Sequence, residues 1–309
     1  MTRIRPSAVF RGGAVPGSSA LPVSVSHPDK VLWPEEGYTK LELVRFYDRV
    51  YPRLEPYLKD RLLTLERCPD GLRGDCFFQK EKPAGMPDGT PSRRILHAKG
   101  ITNYVVGGKR VTQLALANLG CIAVHVWSSR TRAPRKPDWI CFDLDPASGR
   151  FSDAIAAATL VRQALEALKL VSFPKTSGGK GIHVFVPIRP GPDADAILAF
   201  AQRLGERLCA AYPKQLTMEA RIRDRGSRVY LDPYRNAFGQ TVVAPFSVRK
   251  RPGAPVSTPL RWTDVRAGLD PNSFTIANFD LQLRRKDPWE AFFQSRQPIA
   301  TALKAVERL

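Results

Sequence analysis

The chain has 309 residues, with 48 Lys and Arg against 29 Asp and Glu and a formal net charge of +19. A hydrophobic share of 43% excludes wholesale disorder, and no apolar run approaches the roughly 18 residues that a membrane-spanning helix needs. So large an excess of cations modestly favours a polyanionic partner such as nucleic acid, through counterion release, over the alternative of a soluble basic enzyme with no such partner.

Residues 1–25 are Arg- and Ser-rich and acid-free, and read as a flexible basic tail rather than a secretory signal. Thr39 and Glu42 form a capping box for a helix bearing Leu43, Phe46, Tyr47 and Val50 on one face, which Pro52 and Pro56 should break or redirect. Strands are predicted over 62–67 and 76–80 about the turn at Pro69-Asp70-Gly71. Gly107 and Gly108, between 101–106 and 109–112, give a hairpin signal. A short helix over 114–119 and a strand over 122–127 follow. The basic stretch 131–137 is the best candidate for a domain boundary, although no clean linker exists. Beyond it, strands over 139–144, 171–176, 182–188, 229–232 and 242–246 interleave with helices from a Ser152 cap to residue 168 and over 195–211. The segment 248–259 is basic and Pro-rich, and 262–309 reads as helical packing at the periphery, with 291–309 a C-terminal helical extension. This alternation predicts a mixed α/β fold with a substantial sheet. Five cysteines (Cys68, Cys76, Cys121, Cys141, Cys209) are scattered and odd in number. Neither a disulfide framework nor a structural zinc site is therefore expected, and a reduced, cytosolic compartment follows.

Three stretches carry chemistry. In Asp143-Leu144-Asp145-Pro146 the two carboxylates share one face of a strand. They repel, and a hard divalent cation would relieve the repulsion; the bland alternative is a pair that caps a turn. In Ser177-Gly178-Gly179-Lys180-Gly181-Ile182-His183 three glycines free the backbone to form an anion nest, and Lys180 adds a phosphate-binding charge. The Walker A spacing is absent, and an ordinary hairpin turn with a solvated lysine is the alternative. Asp232, at the end of a strand in Asp232-Pro233-Tyr234-Arg235-Asn236, could complete a triad with Asp143 and Asp145 or merely form a turn. Paired carboxylates, a later carboxylate and a phosphate-type loop in a strongly basic chain are together the set that two-metal phosphoryl transfer requires.

Phe142 to Pro146, Ser177 to His183 and Asp232 to Asn236 resemble the three motifs of the archaeo-eukaryotic primase superfamily, and most closely the polymerase domain of bacterial ligase D. Further resembling stretches are His27 to Leu32, Arg67 to Gly71, Phe77 to Lys80, Val124 to Val126 and Ala244 to Pro259. Together they cover about residues 26 to 290, and neither a ligase K-x-D-G lysine nor a phosphoesterase segment is read in the chain.

The resemblance implies a primase–polymerase fold, two β-sheets flanked by helices with the active site in the cleft between. It implies that Asp143, Asp145 and Asp232 bind two Mn²⁺ or Mg²⁺ ions and are catalytic. Ser177, Lys180 and His183, assisted by Arg249, would hold the nucleotide's phosphates, and His125 its sugar side. Phe77 and Phe78 would stack on base or template; since they alternate faces along a strand, at least one is expected in the core. Lys30 and Lys40 would grip a DNA 5′-phosphate. Some relatives carry Gln where this chain has Arg235, and often Asn where it has His27. The implied activity is template-directed gap filling and end extension in non-homologous end joining, with NTPs preferred to dNTPs. Its partners would be a Ku-like end-binding protein and a DNA ligase in cis or trans, and its setting the bacterial, nucleoid-associated cytoplasm. A stand-alone primase and a non-catalytic DNA-end-binding module are the alternatives, discriminated by primer-free extension and by metal-dependent incorporation.

Overall fold

A computed structural model describes residues 20–98 and 100–307. Of the expected tail, residues 1–19 lie outside the described residues, while Leu21, Val23 and Val25 pack half-buried against the first of two main cores. In chain order the elements are β1 (Val31–Trp33), β2 (Tyr38–Thr39), α1 (Lys40–Leu58), β3 (Leu63–Arg67), β4 (Phe77–Gln79), β5 (Ser92–His97), β6 (Gly100–Val105), α2 (Arg110–Asn118) and β7 (Cys121–Trp127). There follow β8 (Trp139–Pro146), α3 (Phe151–Ala167), β9 (Phe173–Thr176), β10 (Ile182–Pro187), α4 (Ala194–Ala211), β11 (Leu216–Thr217), β12 (Val229–Asp232), β13 (Thr241–Val243), α5 (Asp280–Leu283) and α6 (Ala300–Val306). Two sheets dominate, a five-stranded one in the order β11-β12-β8-β10-β9 and a four-stranded one in the order β13-β7-β3-β4. The fold is mixed α/β, as expected, and the segment 131–137 lies in the connection between the sheets, from β7 to β8.

Side-chain alternation explains how the larger sheet makes a site. On β8 and β10, Ile140, Phe142, Leu144, Ile182, Val184 and Val186 point to the helical side, where they join α3 and α4 in the second core. Their neighbours Trp139, Cys141 and Phe185 point the other way, into the first core, which also takes in α1, α2 and the smaller sheet. That second face is apolar at one end. At the other it ends in Asp143, Asp145, His183 and, from β12, Asp232.

Several expectations need correction. Helix α1 runs unbroken through Pro52 and Pro56. Each interior proline costs about 3 kcal/mol, but Leu54, Tyr57 and Leu58 beyond the first are buried, each stabilising by roughly 1.5–3 kcal/mol. Arg53 also ties the turn between them to the Gln282 and Leu283 carbonyls at 3.0 and 2.8 Å. The Gly107–Gly108 pair is not a hairpin turn: β6 pairs backwards with β5, and Lys109 opens α2. Gly107 is needed for close approach instead, since a Cβ there would sit 2.7 Å from the Leu58 carbonyl oxygen. Helix α3 starts one residue before Ser152, with Arg150 at the capping position. Cys68 and Cys76 are disulfide-bonded, because β4 folds back on β3 until Arg67 faces Phe77 and the two cysteines become the next opposed pair. Finally, 262–307 is mostly irregular rather than helical. Trp289 and Phe292 from it are buried, stacked 4.8 Å apart and set against Phe185, which places them in the first core instead of at the periphery.

Candidate active site

Asp143 on β8 is the direct cross-strand partner of Asp232 on β12 and of His183 on β10. Like charges directly opposite on a sheet repel, and here two cationic side chains answer them. The Arg235 Nε lies 3.1 Å from an Asp143 oxygen and 3.2 Å from an Asp232 oxygen. Arg225 reaches Asp145 at 3.5 Å, while its guanidinium lies over the Tyr230 ring and donates to the Glu219 and Ala220 carbonyls. The three carboxylates thus share one polar surface. Among the described residues, however, no group of three or more His, Cys, Asp and Glu is close enough to enclose a metal ion.

Charge within the site is divided unevenly. Burial pushes Asp143 up, but His183 and Arg235 outweigh it and hold the carboxyl well below the ordinary range. Asp145 and Asp232 go the other way: burial raises both, and the charge of Asp143 adds to it. His183, pushed down to about 4 by burial and by Lys175, is neutral at pH 7. Its Nε2–H donates to Asp143 over 3.2 Å, and its Nδ1 is buried without a partner. This donor set suits a hard divalent cation, since two carboxylates held above their usual range beside a third that is ionised are groups that a cation would stabilise.

The turn that carries Arg235 is clamped to β8. Asn236 accepts from the Cys141 N–H at 2.8 Å and donates to the Cys141 carbonyl at 2.8 Å and the Pro233 carbonyl at 2.9 Å. Its amide takes the place of the residue two beyond Asp232, which would face Cys141 had β12 continued in register.

The glycine loop lies at the edge of this surface. Gly178 has φ +69°, and a Cβ on it would meet Arg249 Cγ at 2.6 Å, so only glycine fits. Arg249 donates to the Ser177 carbonyl at 3.0 Å, and Arg251 packs over Gly179. The Ser177 hydroxyl closes the loop by accepting from the Gly181 N–H at 3.1 Å. Lys180 is exposed and lies close enough to Asp145 to oppose the rise of its pKa.

The smaller sheet supplies the opposite wall. His125 on β7 sits beside Glu66 on β3, with 3.9 Å between Nε2 and a carboxylate oxygen, and Phe78 packs edge-on against its ring at 5.3 Å. Lys250 pairs with the other oxygen of Glu66 at 3.1 Å. Arg249 acts electrostatically on His125, Glu66, His183 and Asp143, so both walls belong to one site. Phe77 and Phe78 are both exposed, at 43% and 59%. Neither is core, contrary to expectation, because β4 is the sheet's edge strand and Arg67 lies over Phe77 instead.

Lys30 and Lys40 lie together at one end of the antiparallel β1–β2 ribbon, where the Lys40 N–H donates to the Lys30 carbonyl at 2.8 Å. Lys30 pairs with Asp70 at 2.6 Å. Lys40 is buried and donates to the Ser26 carbonyl at 2.6 Å, and burial together with Lys30 lowers its pKa. Sequence reasoning missed Glu66, Lys175, Arg225 and Asn236 as parts of the site. Of these only Lys175 had a signal, being the lone charged residue of a strand whose other members are apolar or small; Glu66 is followed by Arg67 in β3.

Residues 39–289 match the family described as the LigD primase-polymerase domain. The chain is 31% identical over 285 residues to the bifunctional non-homologous end joining protein LigD of Bacillus subtilis (strain 168), covering 91% of this chain and 46% of that protein. It is 30% identical over 298 residues to the multifunctional non-homologous end joining protein LigD of Pseudomonas aeruginosa, covering 91% and 34%. The chain therefore spans less than half the length of these curated relatives. Among solved structures, the polymerase domain from Mycobacterium tuberculosis Ligase D in complex with DNA superposes with a TM-score of 0.83 at 26% identity, over 88% of this chain and 98% of that one.

Proposed function

The chain belongs to the LigD primase-polymerase family, a family of nucleotidyltransferases, and from that premise we propose that it fills gaps and extends DNA ends during double-strand-break joining. The reading rests chiefly on one observation: Asp143, Asp145 and Asp232 line one polar surface that the Ser177–Gly181 loop and Arg249 border. Asp143, Asp145 and Asp232 would hold Mn²⁺ or Mg²⁺, which supplies activation of a primer hydroxyl and neutralises charge on the departing pyrophosphate. Lys180, Ser177 and Arg249 bind the triphosphate of an incoming NTP or dNTP, with ribonucleotides preferred. His183 steadies Asp143 beside the phosphate-binding loop. His125 meets the sugar side, and the exposed Phe77 and Phe78 stack on base or template. Lys30, released from Asp70, engages the 5′-phosphate of a gap, and Lys40 supports it from below. A Ku-like end-binding protein and a DNA ligase, in cis or trans, complete the repair reaction.

The test is nucleotide addition to a primer on a gapped duplex, with and without the downstream 5′-phosphate, comparing NTPs and dNTPs. Metal-dependent addition, stimulated by the 5′-phosphate and abolished by Asp145→Ala while DNA binding persists, is expected. No addition with either metal, or full activity in Asp145→Ala, would refute the reading.

A further inference from the structure

We propose that Arg235 is a resident counter-ion, seated between Asp143 and Asp232, which a divalent cation must displace, so that Arg235 sets how tightly the site takes up metal. The inference rests on the reading that these carboxylates hold metal, and goes beyond it in assigning Arg235 a share in the affinity.

Three observations carry it. First, one nitrogen, Nε, lies within 3.2 Å of oxygens from both carboxylates, so a single cationic group already answers both charges. Second, the mount is fixed while the side chain is not. Asn236 locks the 3₁₀ turn Tyr234–Asn236 to β8 by hydrogen bonds in both directions, yet the Arg235 side chain is 41% exposed. It can rotate outward without unfolding anything. Third, neither carboxylate is left alone when it does. Asp143 retains the His183 Nε2–H, and Asp232 retains the Tyr234 N–H at 2.9 Å. The exchange is thus one cation for another on a prebuilt anionic seat, with the guanidinium released towards solvent. Coulomb attraction to two carboxylates at about 3 Å is not trivial even at an effective dielectric near 20, so metal binding must overcome it. Glutamine at this position would offer no positive charge to displace.

The test is Mn²⁺ binding without nucleotide, read by calorimetry or by the paramagnetic signal of free Mn²⁺. Arg235→Gln should bind Mn²⁺ on the order of ten- to a hundredfold more tightly than the parent. Arg235→Lys keeps the charge and should stay within about threefold of the parent. A measurement on the parent guards against a variant that fails to fold. The Arg235 Nε–H resonance, assigned by its absence from Arg235→Lys, should shift and exchange faster with solvent when Mg²⁺ is added. Equal Mn²⁺ affinity in parent and Arg235→Gln, or an Arg235 resonance indifferent to saturating Mg²⁺, would overturn the role of Arg235 alone. Absence of Mn²⁺ binding in parent and variant alike would overturn the carboxylate site itself.

Discussion

Removing the Asn236 amide should disable the site from beneath, and the cost can be worked from its bonds. The side chain is buried at 1% exposure and satisfies both the N–H and the carbonyl of Cys141 on the flank of β8 that β12 leaves uncovered. Asn236→Ala leaves both groups unpaired in a buried strand, at roughly 1–3 kcal/mol each, so a loss of about 4 kcal/mol of unfolding free energy is expected. Asn236→Asp should do nearly as badly, because it keeps an acceptor for the Cys141 N–H but turns a carboxylate oxygen on the Cys141 carbonyl. Urea unfolding of the three proteins gives the stabilities, and nucleotide addition under conditions where all remain folded gives the functional cost. Since the clamp also fixes the turn between Asp232 and Arg235, addition should fall in the folded variants too. A loss below about 1 kcal/mol in Asn236→Ala would show that water or a shifted turn replaces the amide, and the clamp argument would fail.

Lys180→Ala should raise the KM for nucleotide and lower kcat, leaving DNA affinity almost unchanged, because charge builds on the pyrophosphate as it departs; weakened DNA binding with normal nucleotide kinetics would make Lys180 a backbone contact instead. Arg61 is fully buried, paired with Asp138 at 2.5 Å and stacked on Trp139. Asp138 has a second partner, the Arg130 Nε at 2.8 Å on its other oxygen; Arg61→Met leaves it only that one and should cost about 3–5 kcal/mol in guanidinium unfolding, and a neutral outcome would mean that Arg130 alone suffices. Burial pushes Lys175 down to about 7 from 10.5. The unfolded chain then binds more protons across that window, so stability should rise with pH there by up to about 1.4 kcal/mol per pH unit. Lys175→Met should remove that slope, and identical pH profiles of parent and variant would refute the placement of the charge.

Local chemistry made much of this structure legible before any coordinates. The Thr39–Glu42 box caps α1 as its spacing requires, and the D-x-D period of two places Asp143 and Asp145 on one face of β8. What escaped was set by tertiary contact. Pro52 and Pro56 read as helix breakers because the benefit of burying Leu54 and Tyr57 is invisible in a window of twenty residues. Gly107 and Gly108 read as a turn because their real constraint, the end of α1, lies some fifty residues earlier. Cys68 and Cys76 form no recognised motif, and only the return of β4 along β3 opposes them. Within the site, residue types were readable but pairings were not. That Arg235 would lie between two carboxylates depends on a strand register that joins residues about ninety positions apart.

The segment after β13 fastens the two walls to each other. Its start is stitched to the smaller sheet, Ala244 N–H donating to the Val124 carbonyl, and its far end to the larger one, where Thr176 N–H donates to the Thr258 carbonyl. Between these stitches it carries Arg249, Lys250 and Arg251. The strap therefore works as a spacer of fixed length, and the gap between the aromatic edge at Phe78 and the carboxylates on β8 is a manufactured tolerance rather than the chance outcome of two domains meeting. An insertion or deletion within 244–258 would act as a change of calibre, altering what thickness of substrate the cleft accepts while the side chains of the two sheets themselves stayed intact.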